Sequence, residues 1–181
     1  MTDAKHYRAR ERLRNNLELC IRAARPDDEQ RIVEAFAKLD PESIYLRFFG
    51  PKKELSKDEL AAFRDIDFDL RVTLFGTVTE HGREIIVAGG TYVRIDDRAA
   101  EVAFLVEEDF HRLGISRRLL SHLGRIAVAA GLQRFVAEVL PQNAAMLGVF
   151  GRCGWAMTSH QEGGTVHVIL DLTSSAPGHP S

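Results

Sequence analysis

Glu101 is the only charged residue in the run Ala99-Ala100-Glu101-Val102-Ala103-Phe104-Leu105-Val106. A carboxylate set among apolar neighbours has its ionised form disfavoured and its pKa raised, which moves it toward the working range of a general base. Glu101 shares strand parity with Ala103 and Leu105, so small and apolar side chains line the route toward it on that face. A strand-end glutamate pointing at water fits the same pattern, and spacing alone leaves both readings open.

A second group follows in Phe110-His111-Arg112-Leu113-Gly114-Ile115-Ser116-Arg117-Arg118, where a glycine precedes Ile115, Leu119, Leu123, Ile126, Ala127 and Ala130 at helical spacing. A helix that opens after a buried strand presents unpaired N–H groups and the positive end of its dipole, the elements of an anion site. Arg112, Arg117 and Arg118 add cationic charge, which suits a ligand carrying several phosphates. An ordinary strand-to-helix turn with solvated arginines has the same signature. His111 is open to a phosphate contact, while His81, His122, His160 and His167 lack metal-ligand spacing. Cys20 and Cys153 lie outside any Cys-x-x-Cys pattern, which argues against both a zinc site and a disulfide framework.

The elements that must position these residues can be read around them. The chain has 181 residues with 24 Lys plus Arg against 26 Asp plus Glu, enough for one domain and too balanced for a global field that draws it to nucleic acid. No apolar signal core or bilayer-length run occurs, so a soluble, reducing, cytoplasmic setting without membrane contact is expected. Residues 1–16 read as a basic arm, a frayed or solvated leading helix rather than a nucleic-acid arm. Residues 17–172 read as one domain, and 173–181 as a disordered tail. Strands are expected at 17–23, 72–79, 85–95, 99–106, 134–140, 156–160 and 165–172, with a hairpin turn at Glu80-His81-Gly82-Arg83. Helices are expected from Pro26 to Leu39, over the aromatic-rich 41–49, and from the capping box Ser56-Lys57-Asp58-Glu59 through Phe63. Tyr45, Phe48 and Phe49 are read as core residues bordering a ligand groove. Asp65, Asp67 and Asp69 are either an acidic wall for a lysine or a soluble loop. Strand 99–106, the helix after Gly114 and strand 134–140 form a right-handed parallel crossover, with Gly131 closing the helix.

These residues carry a resemblance. The segment 110–120 resembles the acetyl-CoA pyrophosphate loop of the GNAT superfamily of N-acetyltransferases, written Gln/Arg-x-x-Gly-x-Gly/Ala, with His111 and Ser116 departing from it. Leu140-Pro141-Gln142-Asn143 through Phe150 to Gly154-Trp155 resembles the family's following segment. Ser43-Ile44-Tyr45-Leu46-Arg47-Phe48-Phe49, with 66–69 behind it, is similar to the Pat-type protein lysine acetyltransferases. The likeness spans about residues 19–172. It implies a mixed α/β fold of three layers, α-β-α, whose central mixed sheet has six to seven strands splayed between strands 4 and 5.

The resemblance also implies acetyl-CoA as cosubstrate and a protein lysine as acceptor, an acyl-CoA synthetase among them. A small-amine acetyltransferase and a non-catalytic acyl-CoA sensor are the alternatives. Lysine titrates near 10.4, so at pH 7 only about one in a few thousand is neutral, a deficit of about 4.6 kcal/mol that a base must offset in part. The family carries a glutamate at the place of Glu101. The backbone of Leu105, Val106 and Glu107 is implied to pair with the pantetheine arm, and Arg112, Leu113, Gly114, Ile115, Ser116 and Arg117 to hold the diphosphate. Asn143 either caps its helix or bonds the cofactor. Phe150 stands where the family often places a proton-donating Tyr. No Cys or Ser stands where an acyl-enzyme would need it, so direct attack is expected. Monomer and homodimer are both open.

Overall fold

A computed structural model of the chain describes residues 3–174. Its strands are β1 (Arg8–Arg12), β2 (Glu18–Ala23), β3 (Arg71–Glu80), β4 (Arg83–Arg94), β5 (Ala99–Val106), β6 (Arg134–Val139), β7 (Ala156–Glu162) and β8 (Thr165–Asp171). The helices are α1 (Glu29–Ala37), α2 (Pro41–Phe48), α3 (Lys57–Arg64), α4 (Ile115–Ala129) and α5 (Ala144–Gly151). One mixed sheet has the order β1-β2-β3-β4-β5-β6-β8-β7. Among the described residues only the β5·β6 pair is parallel, as a crossover through α4 requires.

Register assigns the two faces. Thr73 pairs with Thr91 and Thr91 with Ala103, while Phe75 pairs with Gly89 and Gly89 with Leu105. Directly paired residues share a face, so this set lies on one side, where residues of α1, α2 and α3 meet it. The alternate residues, Val72, Leu74, Tyr92, Val102 and Phe104, are buried with Leu119, Leu123 and Ile126 of α4 in the main core. A Cβ on Gly90 would sit 2.8 Å from Phe104 and 3.1 Å from Leu123, so the sheet and α4 meet without room for a methyl group there. The three-layer architecture read from the sequence is therefore present.

Two expectations are corrected. Among the described residues the sheet has eight strands, not six to seven, and the added strand comes from the basic segment, which is not a leading helix. Only Ala4–His6 makes a short 3-10 turn, while β1 pairs antiparallel with β2 from Arg8↔Arg22 to Arg12↔Glu18. The reason is a period of two: Arg8, Arg10 and Arg12 face solvent, and Tyr7, Ala9, Glu11 and Leu13 turn inward. The Tyr7 hydroxyl donates to Nδ1 of buried His122 on α4, whose Nε2 donates to Glu11 at 2.8 Å. Of the expected disordered tail, 175–181 lie outside the described residues. Thr173 and Ser174 form a turn on Asp171, in which the Asp171 carboxylate accepts from Thr173 N at 2.9 Å.

Local signals acted where they were read. Ser56 and Glu59 form the reciprocal capping box, with bonds of 3.1 and 2.7 Å. His81 and Gly82 both have positive φ, +51° and +76°, so the hairpin turn uses two left-handed residues rather than glycine alone. Gly131 closes α4 at φ +86°. One buried ion cluster anchors the start of α1: Arg22 donates to both oxygens of Asp28 at 2.8 Å and to Glu84 at 2.8 and 3.1 Å.

Candidate active site

Parallel pairing of β5 with β6 covers Ala99↔Arg134, Ala100↔Phe135 and Glu101↔Val136, and stops there. The paired stretch of β5 with β4 continues to Val106↔Ala88. Past Glu101 the sheet is therefore open on one side of β5. Glu107 N donates to Val87 O at 2.9 Å and Ile95 N to Ala99 O at 2.9 Å, so the odd-numbered residues of this strand address β4. By alternation, the peptide groups of Val102, Phe104 and Val106 face the gap. Of the three backbones expected to meet a ligand, only Val106 turns that way; Leu105 and Glu107 turn to β4.

A groove of about 950 Å³ follows this gap. Glu101 and Ala103 lie on it at one end, Gly114 to Arg117 at the other, with Val139 of β6 and Met146 of α5 on the far wall. Gly114 has φ +79°, a left-handed conformation that favours glycine, and a Cβ there would stand 2.8 Å from Arg118 Nη1 and displace that guanidinium. The first helical bond of α4 runs from Arg118 N to Gly114 O at 3.2 Å, which leaves the amides of Ile115, Ser116 and Arg117 ahead of it and open to a ligand. Ile115 and Leu113 direct their side chains into the core cluster, while Ser116 and the exposed Arg117 line the groove.

The expected cations divide. Arg112, at φ +63°, and Arg117 are exposed on the groove and form no ion pair among the described residues. Arg118 turns back instead: its guanidinium donates to the carbonyls of Leu113, Gly114 and Arg12 at 3.1, 3.2 and 3.2 Å and lies 3.5 Å from Glu11. It fastens the turn to β1 and is not among the residues that line the groove. His111 is likewise occupied, with Nε2 donating to Val106 O at 2.8 Å. Arg14 and Arg152, which the sequence reading passed over as site residues, also line the groove.

Asn143 caps α5, its side chain accepting from Met146 N at 3.2 Å. Phe150 is 1% exposed and packs on Phe104 with ring centroids 6.3 Å apart, a core contact that brings no proton to the groove. Glu101 is exposed rather than enclosed by its apolar neighbours, and accepts no hydrogen bond and no ion pair among the described residues. The acidic wall is mostly spent. Asp67 accepts from the amides of Asp69, Leu70 and Arg71 at 2.9, 3.0 and 3.2 Å, and these bonds, Asp69's above all, hold its carboxyl below the usual range.

Two arginines absent from the sequence reading of the site stand near Glu101. Arg47 of α2 lines the groove, and burial lowers its pKa, with the charge of Glu101 opposing and that of Arg71 adding. Arg71 opens β3. An apolar cavity of about 120 Å³ under α1, α2 and α3 shares Arg47, Ala103 and Leu105 with the groove. Glu107 lies on that cavity, where burial pushes its carboxyl up. An alternating signal for these side chains existed only in the register, which no local pattern reveals. No helix among the described residues is long and apolar enough to cross a membrane.

Comparison with known proteins agrees with this geometry. The acetyltransferase (GNAT) family model matches residues 14–155. Acetyltransferase Pat of Mycolicibacterium smegmatis is 29% identical over 154 residues, covering 84% of this chain and 45% of its own length. Acetyltransferase PA5475 of Pseudomonas aeruginosa is 27% identical over 137 residues, 75% of this chain and 74% of that protein. Among solved structures, the GNAT domain of S. lividans PAT superposes with a TM-score of 0.83 at 34% identity, covering 91% of this chain and 96% of that one. The chain thus spans about half the length of the mycobacterial Pat and nearly all of the isolated GNAT domain. A splayed β5·β6 pair, a glycine turn with free amides and a family match over most of the chain meet in one conclusion: the chain belongs to the GNAT acetyltransferase family, whose acetyl donor is acetyl-CoA.

Proposed function

We propose that this protein transfers the acetyl group of acetyl-CoA to a lysine of a protein, an acyl-CoA synthetase among the candidate acceptors, with Glu101 as general base. The observation that carries the reading is the position of Glu101 at the last β5·β6 pair, where the groove opens, with its carboxylate in no hydrogen bond or ion pair among the described residues. The groove also fits the donor. Amides of Ile115, Ser116 and Arg117 and the side chains of Arg112, Arg117 and Arg152 offer an anion end for the diphosphate, and the N–H groups of Phe104 and Val106 address the gap.

In this reading the amine loses its proton to Glu101 and attacks the thioester carbonyl. A C–N bond forms, the C–S bond breaks, coenzyme A leaves as thiolate, and the second proton of the attacking nitrogen passes to that thiolate or to solvent. A thiolate with pKa near 8.5 departs without a dedicated acid, which accords with Phe150 being a core residue. One N–H aimed at the developing oxyanion is worth about 3 kcal/mol. Likeness to proteins named Pat favours a protein lysine over a small amine. The expected setting is the cytoplasm, where both cysteines stay free.

Glu101→Gln tests the base. Acetyl-CoA affinity should be retained while turnover falls at least about tenfold, a threshold set below the roughly 10²–10⁴-fold typical of proton transfer by a positioned side chain; unchanged turnover removes the role. Incubating lysate with labelled acetyl-CoA and locating the label by mass spectrometry tests the acceptor, since label on polyamines or other small amines rather than protein lysines selects the alternative.

A further inference from the structure

We propose that Arg47 and Arg71 bind a carboxylate on the acceptor, so that the preferred amine is one accompanied by an acidic group. The inference rests on the acetyl-transfer reading and names the substrate class of the same site. It starts from register: Arg71 pairs with Val93 and Val93 with Glu101. Direct partners share a face, so these three side chains form a row across β3, β4 and β5. Neighbouring strands lie about 4.8 Å apart, which sets Arg71 about 10 Å from Glu101. Arg47 reaches the same ground from α2 and lines the groove together with Glu101.

Both guanidiniums are held by aromatic faces rather than by anions. Arg47 Cζ lies 4.9 Å from the centroid of the Phe48 ring and Arg71 Cζ 5.4 Å from that of Phe63. Stacking fixes the plane and leaves the N–H edges to a second partner. Neither arginine has an ion pair among the described residues, and Nε of Arg71 is buried with no hydrogen-bond partner. Arg22 shows how this fold satisfies a buried guanidinium, with bonds to both Asp28 and Glu84. The acids that might have served Arg47 and Arg71 are engaged elsewhere: Glu59 with Lys52 at 2.9 Å and in its capping box, Asp69 with Arg94 at 3.8 Å, and Asp67 on backbone amides. Glu101, which is within electrostatic range of Arg47, makes no ion pair with it. Two stacked cations without an ion-pair contact among the described residues, beside a carboxylate that also has none, match an acceptor with one positive and one negative group. A lysine beside an acidic residue has this chemistry, and so does free lysine through its α-carboxylate.

The test compares kcat/KM for two acceptor pairs at fixed acetyl-CoA: a peptide lysine flanked by Asp against the same peptide with Asn, and Nα-acetyl-lysine against its amide. The carboxylate member of at least one pair should be preferred about tenfold, the scale of a charge-assisted bidentate contact, and the pair that shows it identifies the source. In Arg47→Gln and in Arg71→Gln, each checked for an unshifted melting temperature, the preference should shrink to about twofold or less, while Arg71→Lys should keep part of it. Equal use of both members by the wild type overturns the proposal alone, as does a loss in either variant that strikes both members equally. Absence of label on every acceptor removes the acetyl-transfer reading, and this inference with it.

Discussion

Replacing Glu84 with Gln should alter the pH dependence of stability by a calculable amount. Glu84 sits 26% exposed against Arg22, and the hydrogen bonds from that guanidinium, helped by its charge and by Thr77, hold the carboxyl down at about 2 against the usual 4.5. A carboxyl whose folded pKa is depressed stabilises the fold above its unfolded pKa and loses that contribution as pH falls through the folded value. The displacement corresponds to about 3 kcal/mol at pH 7, falling to about 1 kcal/mol by pH 3. Urea denaturation of wild type and Glu84→Gln at pH 7, 5, 4 and 3 measures this, with wild type ahead by about 3 kcal/mol at neutrality and the gap closing mainly below pH 4.5. Asp28 also loses charge in acid, but it is common to both proteins and largely cancels. A gap that stays constant from pH 7 to pH 3 would refute the argument, because the carboxylate charge would then contribute nothing specific to the cluster. The cluster holds the start of α1, which roofs the cavity beside Leu105, so the same variant should leave acetyl transfer intact wherever it remains folded.

Two further substitutions probe packing and capping. A Cβ at Gly124 would stand 2.1 Å from Trp155 Cη2. Gly124→Ala should therefore lose about 1–3 kcal/mol through overpacking, despite the roughly 1 kcal/mol gain in helix propensity, and an unchanged or raised melting temperature would contradict that contact. Asn143→Ala should lose about 1 kcal/mol with its N-cap bond, and a large fall in acetyl-CoA affinity without loss of stability would instead give Asn143 a ligand role.

Much of the scaffold was legible because it rests on local chemistry. The apolar run at 99–106, the helical spacing after Gly114, the capping box at Ser56 and the glycine at 131 each report on their own few residues, and the elements formed where they stood. The basic segment carries two signals that conflict: its charge content suggests a solvated arm, while arginines at 8, 10, 12 and 14 mark every second residue, a strand period, and pairing with β2 favours the second. The site was legible in its anchors, Glu101 and Gly114, and less so in its cations. Arg118 and His111 looked free and bond backbone carbonyls, while Arg47, Arg71 and Arg152 looked ordinary and line or flank the groove. Which way a side chain turns depends on strand register and on loop carbonyls left by distant segments, and neither is encoded at the residue itself.

A crystal structure of the protein with coenzyme A tests the central claim most directly. The account predicts the diphosphate against the amides of Ile115, Ser116 and Arg117, the pantetheine arm along the open side of β5, and the sulfur reaching toward Glu101. A diphosphate bound away from that turn, or a Glu101 carboxylate directed out of the groove, would contradict it.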